Sequence, residues 1–202
     1  MVSLARAFFE RPPDEVARDL IGAHMLVRHA DQLTTVRIVE TEAYGGEDDP
    51  ASHARRGPTA RNAAMFGPAG HLYVYLIYGM HWCMNVVTQE SGVASAVLLR
   101  GAEPVGPPGV VDRAATGADV SPRALRGPGN LTKALGVTGA DDGRDCCAPL
   151  ARISFLASGA VALDATRRSR RVGISRARER LSRYYLDGST GVSRGPLGSP
   201  IR

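Results

Sequence analysis

The chain has 202 residues, 44% hydrophobic and 22% charged, with a formal net charge of +5; this suits one soluble globular domain with a real core and excludes a disordered or fibrous protein. No apolar run nears the about 20 residues a membrane helix needs, and the N-terminus MVSLARAFFERPPDE turns acidic and proline-bearing too early for a secretory signal. Cys83, Cys146 and Cys147 are odd in number and lack metal-ligand spacing, so a reducing intracellular compartment is expected.

Residues 13–21 read as a first helix, opened by proline and two acids and stopped by Gly22. Strands follow at 23–29 and 33–44 around a polar turn at Asp31-Gln32. Residues 45–70 are rich in glycine, proline and charge and read as a long loop with one helical turn near 61–66. Loops of that length in compact domains are functional or disordered. A strand pair is expected at 71–77 and 84–88, joined around Tyr78-Gly79-Met80, and another strand at 93–100. Residues 101–129 form a proline- and glycine-rich connection to a short helix at 130–135, ended by Gly136. Short strands at 153–157, 161–165, 171–174 and 184–186 complete the series, an α+β pattern of many antiparallel strands and few helices in one domain, 1–202.

Of the 25 basic residues, Lys133 alone is lysine. Chemistry that needs a lysine amine therefore has one side-chain candidate, whereas arginine stays protonated and pairs well with phosphate. Eight arginines fall between positions 167 and 183 against a single acid, Glu179. That density reads either as a footprint for a polyanion, nucleic acid first, or as a solvated basic face. The opposite charge collects at Glu40, Glu42, Glu47, Asp48 and Asp49, which in a basic protein asks for a reason.

In VRIVETEAYGG, strict alternation puts Ile38, Glu40, Glu42 and Tyr44 on one strand face. Two carboxylates buried together repel and raise one pKa, a usual preparation for a general acid or base; on an edge strand both would instead point to solvent. Glu42, nearer the loop, is the better catalytic candidate, and Glu40 suits an arginine partner. Three of the six tyrosines, Tyr73, Tyr75 and Tyr78, fall within six positions. Tyr73 and Tyr75 share a strand face and Tyr78 precedes Gly79 at a turn. Such rings serve ordinary strand packing, or they stack an unpaired base and push into a duplex. His53, in the loop after Glu42, is placed to touch a ligand, whereas His53, His71 and His81 show no metal spacing, so neither metal nor cofactor is expected. GxSxG, Walker A and Rossmann fingerprints are absent, and GPGNLTKAL offers glycines and a helix start suited to phosphate.

The ordered series VETEAYGG, SHARRG, TARNAAMFG, LYVYLIYGMHWCMNVV, AVLLRGAEP and GPGNLTKALG resembles the alkyladenine (3-methyladenine) DNA glycosylase family over nearly the whole chain. The resemblance implies a curved antiparallel sheet with a hairpin that enters the DNA minor groove. It also implies metal-free hydrolysis of the N-glycosidic bond of alkylated or deaminated purines (3-methyladenine, 7-methylguanine, hypoxanthine, ethenoadenine). Carried over by position, the catalytic glutamate falls on Glu42 and the arginine that helps hold water on Arg100. Base-stacking residues fall on Tyr44, His53 and Tyr75, with the purine between Tyr75 and the Tyr44/His53 side. The intercalating tyrosine falls on Tyr78, and the asparagine that crowds the exocyclic amine of guanine on Asn85. Arg61, Lys133, Arg171 and Arg176 are the candidate backbone contacts; Asn130 stands where many relatives carry lysine, and His81-Trp82 replaces other aromatic pairs. The expected partner is double-stranded DNA containing a damaged purine, met by a monomer away from any membrane. The competing class is a non-catalytic nucleic-acid-binding module of the same fold. A glycosylase/lyase would need the Lys133 amine.

Overall fold

The computed structural model describes residues 2–30, 32–106, 117–159, 161 and 163–201. Two short helices lead in, α1 (Arg6–Phe9) and α2 (Pro13–Asp19). Pro13 has its φ preset for a first helical turn, and Asp14 and Glu15 face the positive helix end. The helix stops before the expected residue 21 because Leu20 caps it and Gly22 takes a φ of 88°. Helix α1 escapes the sequence reading, since four residues carry no readable periodicity.

Strands β1 (His24–His29) and β2 (Gln32–Tyr44) form a hairpin. They are followed by β3 (Leu72–Ile77), β4 (His81–Val87) and β5 (Ala96–Pro104), then helix α3 (Pro128–Ala134). The chain closes with β6 (Ile153–Leu156), β7 (Thr166–Ser169), β8 (Arg183–Leu186) and β9 (Ser199–Pro200). One antiparallel sheet runs β3-β4-β5-β2-β8-β7-β9, with β1 pairing β2 and β6. The α+β reading holds. Two expected strands do not form: 163–165 is a 3-10 turn feeding β7, and 171–174 is irregular because its polar groups bond β2 and its loop. Residues 107–116 of the expected connection lie outside the described residues.

Strand β2 is the spine of the sheet. It pairs β1 over its first half, β8 at Glu40–Glu42 and β5 from Val36 onward, and the β5 register shifts between Ile38 and Thr41. Val36 and Ile38 belong to the main apolar core, beneath α2 and α3. Beyond the shift, Ala43 joins that core and Thr41 donates its hydroxyl to the Ala17 carbonyl of α2 at 2.8 Å. Inward parity therefore passes from even to odd numbers across a β-bulge, and Glu40 and Glu42 turn to the opposite face, away from Ile38. Strict alternation had grouped Ile38 with them. A second, smaller apolar cluster (Ala54, Met65, Tyr73, Val87, Ala94, Ala96) anchors the 45–70 loop on that opposite face.

Candidate active site

Both glutamates are fully buried, because β2 is internal rather than an edge. Glu42 Oε2 accepts from the Tyr44 hydroxyl at 2.8 Å and from Arg100 Nη1 at 3.2 Å, and Oε1 accepts the Val172 N–H at 2.7 Å. Each carboxylate oxygen has two lone pairs, so Oε1 keeps one acceptor position. Burial pushes the Glu42 pKa up; Arg100, the Val172 amide and the Tyr44 hydroxyl oppose this without reversing it. Glu40 is the contrary case. Burial also pushes it up, but Arg100, Arg183 and the Ser193 amide outweigh that and hold it below the ordinary range. Two like groups on one strand are thus split into a proton-avid carboxyl and a fixed anion.

Glu42 does not itself border open space. Tyr44, Arg100 and Val172, its three partners, line a cleft of about 450 Å³. Tyr73, Tyr75 and His53 form one continuous aromatic wall: the two tyrosine rings stack with centroids 5.2 Å apart, and His53 meets Tyr75 edge-on at 4.5 Å. His53 Nδ1 is hydrogen-bonded to the Tyr73 hydroxyl at 2.8 Å. Rings in such contact leave no room for a base between them, so His53 sides with Tyr75 rather than with Tyr44. Tyr44 lies elsewhere on the lining, with the Arg171 guanidinium 4.6 Å from its ring centroid. Burial, helped by the Arg61 charge, lowers the His53 pKa, so its imidazole is neutral at pH 7. Asn85 is buried on the lining and donates Nδ2 to the Tyr73 carbonyl at 2.9 Å.

Tyr78 occupies the turn of the β3–β4 hairpin at a φ of 52°, followed by Gly79 at 69°. It is 86% exposed and Met80 is 70% exposed, so an aromatic ring and a thioether project from the tip. The hairpin is braced close to its turn: Thr132 of α3 donates to the Trp82 carbonyl at 2.8 Å, and a side chain at Gly139 would collide with the indole.

Two members of the acidic cluster, Glu40 and Asp49, are paired by the arginine run, so that segments 40–49 and 171–183 bind each other. Arg171 donates to Asp49 at 2.5 and 2.8 Å and to the Ala43 carbonyl at 3.0 Å, Arg183 donates to Glu40 at 2.7 Å, and Arg180 donates to the Asp48 carbonyl at 2.7 Å. Arg171 is consequently buried and committed to Asp49, which removes it from the candidate phosphate contacts. Arg61, Lys133 and Arg176 are exposed. Arg61 reaches the Leu76 carbonyl at 3.0 Å, and Asn130 turns its amide onto the Arg126 carbonyl at 2.9 Å. Arg55 and Arg176 both border the cleft, close enough that Arg176 depresses the Arg55 pKa. Sequence reasoning missed Val172, whose contribution is a backbone N–H, and Ser193, which no motif marks. It counted Arg183 only as surface charge.

Among the described residues no His, Cys, Asp and Glu gather into a cation site, and no helix is long and apolar enough to cross a membrane. The family model described as Methylpurine-DNA glycosylase (MPG) matches residues 7–190. Three curated relatives, each named "Putative 3-methyladenine DNA glycosylase", are similar over most of their length. The protein from Koribacter versatilis is 41% identical over 96% of this chain and 94% of its own; that from Myxococcus xanthus is 44% identical over the same shares. The protein from Frankia casuarinae is 46% identical over 94% of this chain and 91% of its own. The chain belongs to the methylpurine-DNA glycosylase family.

Proposed function

We propose that this protein is a monofunctional DNA glycosylase that extrudes alkylated or deaminated purines from duplex DNA and hydrolyses the N-glycosidic bond with a Glu42-activated water. The observation that carries the reading is a buried carboxyl of raised proton affinity, held by Arg100, Tyr44 and Val172 directly behind an aromatic-walled cleft. A base inside a duplex is out of reach of any such pocket, so it must leave the stack. Tyr78 stands ready to fill the vacancy. The extruded purine lies between Tyr44 and the Tyr75/His53 wall, whose ring faces attract the positive charge of an alkylated base. A neutral His53 does not repel it.

Glu42 Oε1 accepts a proton from water through its remaining lone pair, the water oxygen bonds to C1′, and the glycosidic electron pair leaves with the purine nitrogen. The Glu42 charge faces the oxocarbenium-like transition state, as carboxylates do in glycoside hydrolysis. Asn85, at the cleft lining, crowds the exocyclic amine of guanine. Arg55, Arg61, Arg176 and Lys133 supply phosphate contacts. Lys133, the one lysine, does not line the cleft, which supports simple hydrolysis over lyase chemistry.

Glu42→Gln tests this directly on a panel of duplexes carrying single 3-methyladenine, 7-methylguanine, hypoxanthine or ethenoadenine lesions. Excision should vanish while lesion-DNA affinity stays near wild type, since shape is kept and only the base is lost. Single-turnover excision within about tenfold of wild type, roughly 1.4 kcal/mol in the barrier, refutes Glu42 as the base.

A further inference from the structure

Glu40 never reaches the cleft, yet it accepts four hydrogen bonds, one more than Glu42. Its Oε1 accepts from Arg100 Nε at 2.9 Å, Arg183 Nε at 2.7 Å and Ser193 Oγ at 2.8 Å, and Oε2 accepts the Ser193 N–H at 2.6 Å. Arg183 is itself 1% exposed and directs its other N–H groups to Ser169 Oγ at 3.1 Å and to the carbonyls of Pro196 and Ser193, both at 3.0 Å. The segment that carries Ser193 is pressed onto the sheet: a side-chain carbon at Gly191 would strike the Ala102 carbonyl, and one at Gly195 would strike Val172 and the Arg183 guanidinium. This strap lies just past the matched family segment, which ends at residue 190.

Arg100 is shared between the two glutamates. Nε goes to Glu40 at 2.9 Å, Nη2 to Ser193 Oγ at 3.3 Å, and only Nη1 is left for Glu42, at 3.2 Å. We propose that Glu40, locked by Arg183 and Ser193, is a positioning residue that holds the Arg100 guanidinium in this orientation, so that Glu42 receives one long contact instead of a bidentate clamp. The inference rests on the glycosylase reading above. A bidentate arginine stabilises a carboxylate strongly and would make it a weaker base. The bulge in β2 turns Glu40 and Glu42 together away from the main apolar core. The charged and titratable groups around Glu42 are Glu40 and Tyr44 of β2, Arg100 of β5, Arg183 of β8, Arg171 after β7, Tyr75 of β3 and Cys83 of β4. Of these, Glu40 is the one whose removal both deletes a negative neighbour and frees Arg100.

The test is Glu40→Gln, assayed by single-turnover excision of 7-methylguanine from duplex DNA across acidic pH. That base carries a fixed positive charge and leaves without protonation, so the acidic limb reports the enzyme. In Glu40→Gln the limb should move to lower pH by about one unit or more, as expected when a like charge is removed and an arginine closes in. Lesion-DNA affinity should stay unchanged. A limb at the wild-type position overturns the proposal, since a merely structural role lowers the folded fraction without moving a midpoint. If Glu40→Gln does not fold, Ser193→Ala decides. It removes the hydroxyl that bridges Glu40 and Arg100 and should slow excision roughly two- to tenfold with unchanged affinity, and a wild-type rate overturns the proposal. Glu42→Gln, run alongside, separates the readings. If it cleaves at the wild-type rate, the general-base assignment falls and this inference with it. If it is inactive while the Glu40→Gln limb stays in place, the positioning role alone falls.

Discussion

Asp49→Asn isolates what holds the loop wall of the cleft. Asp49 is 1% exposed and Arg171 is 4% exposed, and two hydrogen bonds of 2.5 and 2.8 Å join them. Asp49 also accepts the N–H groups of Gly45 and Ala51, each at 3.1 Å, which fixes the loop leading to His53. Asparagine keeps the shape but strands the Arg171 charge, whose remaining acceptor is the Ala43 carbonyl. Breaking one side of a buried ion pair typically destabilises by about 3–5 kcal/mol. At about 2–4 °C per kcal/mol for a chain of this size, the melting temperature should fall by about 6–20 °C. The effect should depend on pH. Burial opposes ionisation of Asp49, but Arg171 and the two amides hold its pKa below the ordinary 3.8. Its contribution is therefore fully present above the unfolded value and is lost as pH falls through the lower folded one. Thermal melts of wild type and variant at neutral pH and near pH 3 read both quantities. A neutral-pH drop under about 2 °C, or a difference that persists unchanged into acid, refutes the assignment of stability to this pair.

Tyr78→Ala should leave the melting temperature close to wild type, because an exposed ring contributes little to the core, and should weaken base-flipping fluorescence and lesion affinity. A low melting temperature with normal flipping makes Tyr78 a packing residue. Tyr75→Ala should do the opposite on stability, since it strips Tyr73 and His53 of their ring partner. Asn85→Ser should relax the discrimination against guanine relative to hypoxanthine by making room for the exocyclic amine; an unchanged ratio in mismatched duplexes refutes that role.

The features written in local sequence were legible. Gly79 marked the hairpin turn, period-two patterning marked β2 and the shared face of Tyr73 and Tyr75 on β3, and VETEAY placed the acids on a strand beside a loop; β4, expected from residue 84, begins at His81. What stayed hidden was long-range. The β2 bulge leaves no composition signal, yet it decides which face the glutamates take. The Asp49–Arg171 and Glu40–Arg183 pairs join residues 122 and 143 positions apart, so the run of arginines read as surface charge although two of its members are internal. The expected strand at 171–174 failed for the same reason, because its backbone and side chains answer to β2 and its loop rather than to their own alternation.

The distribution of order around the cleft follows from these pairings. Behind the cleft, Glu40, Arg100, Arg183 and Ser193 satisfy one another almost completely, and a saturated buried network of ions is rigid because displacing any member strands a charge. At the mouth, Tyr78 holds a left-handed backbone angle that a bulky residue adopts only at an energetic cost of about 1–2 kcal/mol, with no packing in return. Glycine would sit there without strain. The proposed intercalating role gives that exposed, strained ring a partner outside the protein, and the neighbouring exposed Met80 and the arginines at the rim suit a partner with apolar and anionic surfaces at once. Stacked bases between phosphates are such a surface. On the proposed glycosylase reading, the rigid rear would hold the Glu42 carboxyl in place while the strained front enters a duplex, so that entry leaves the rear geometry undisturbed.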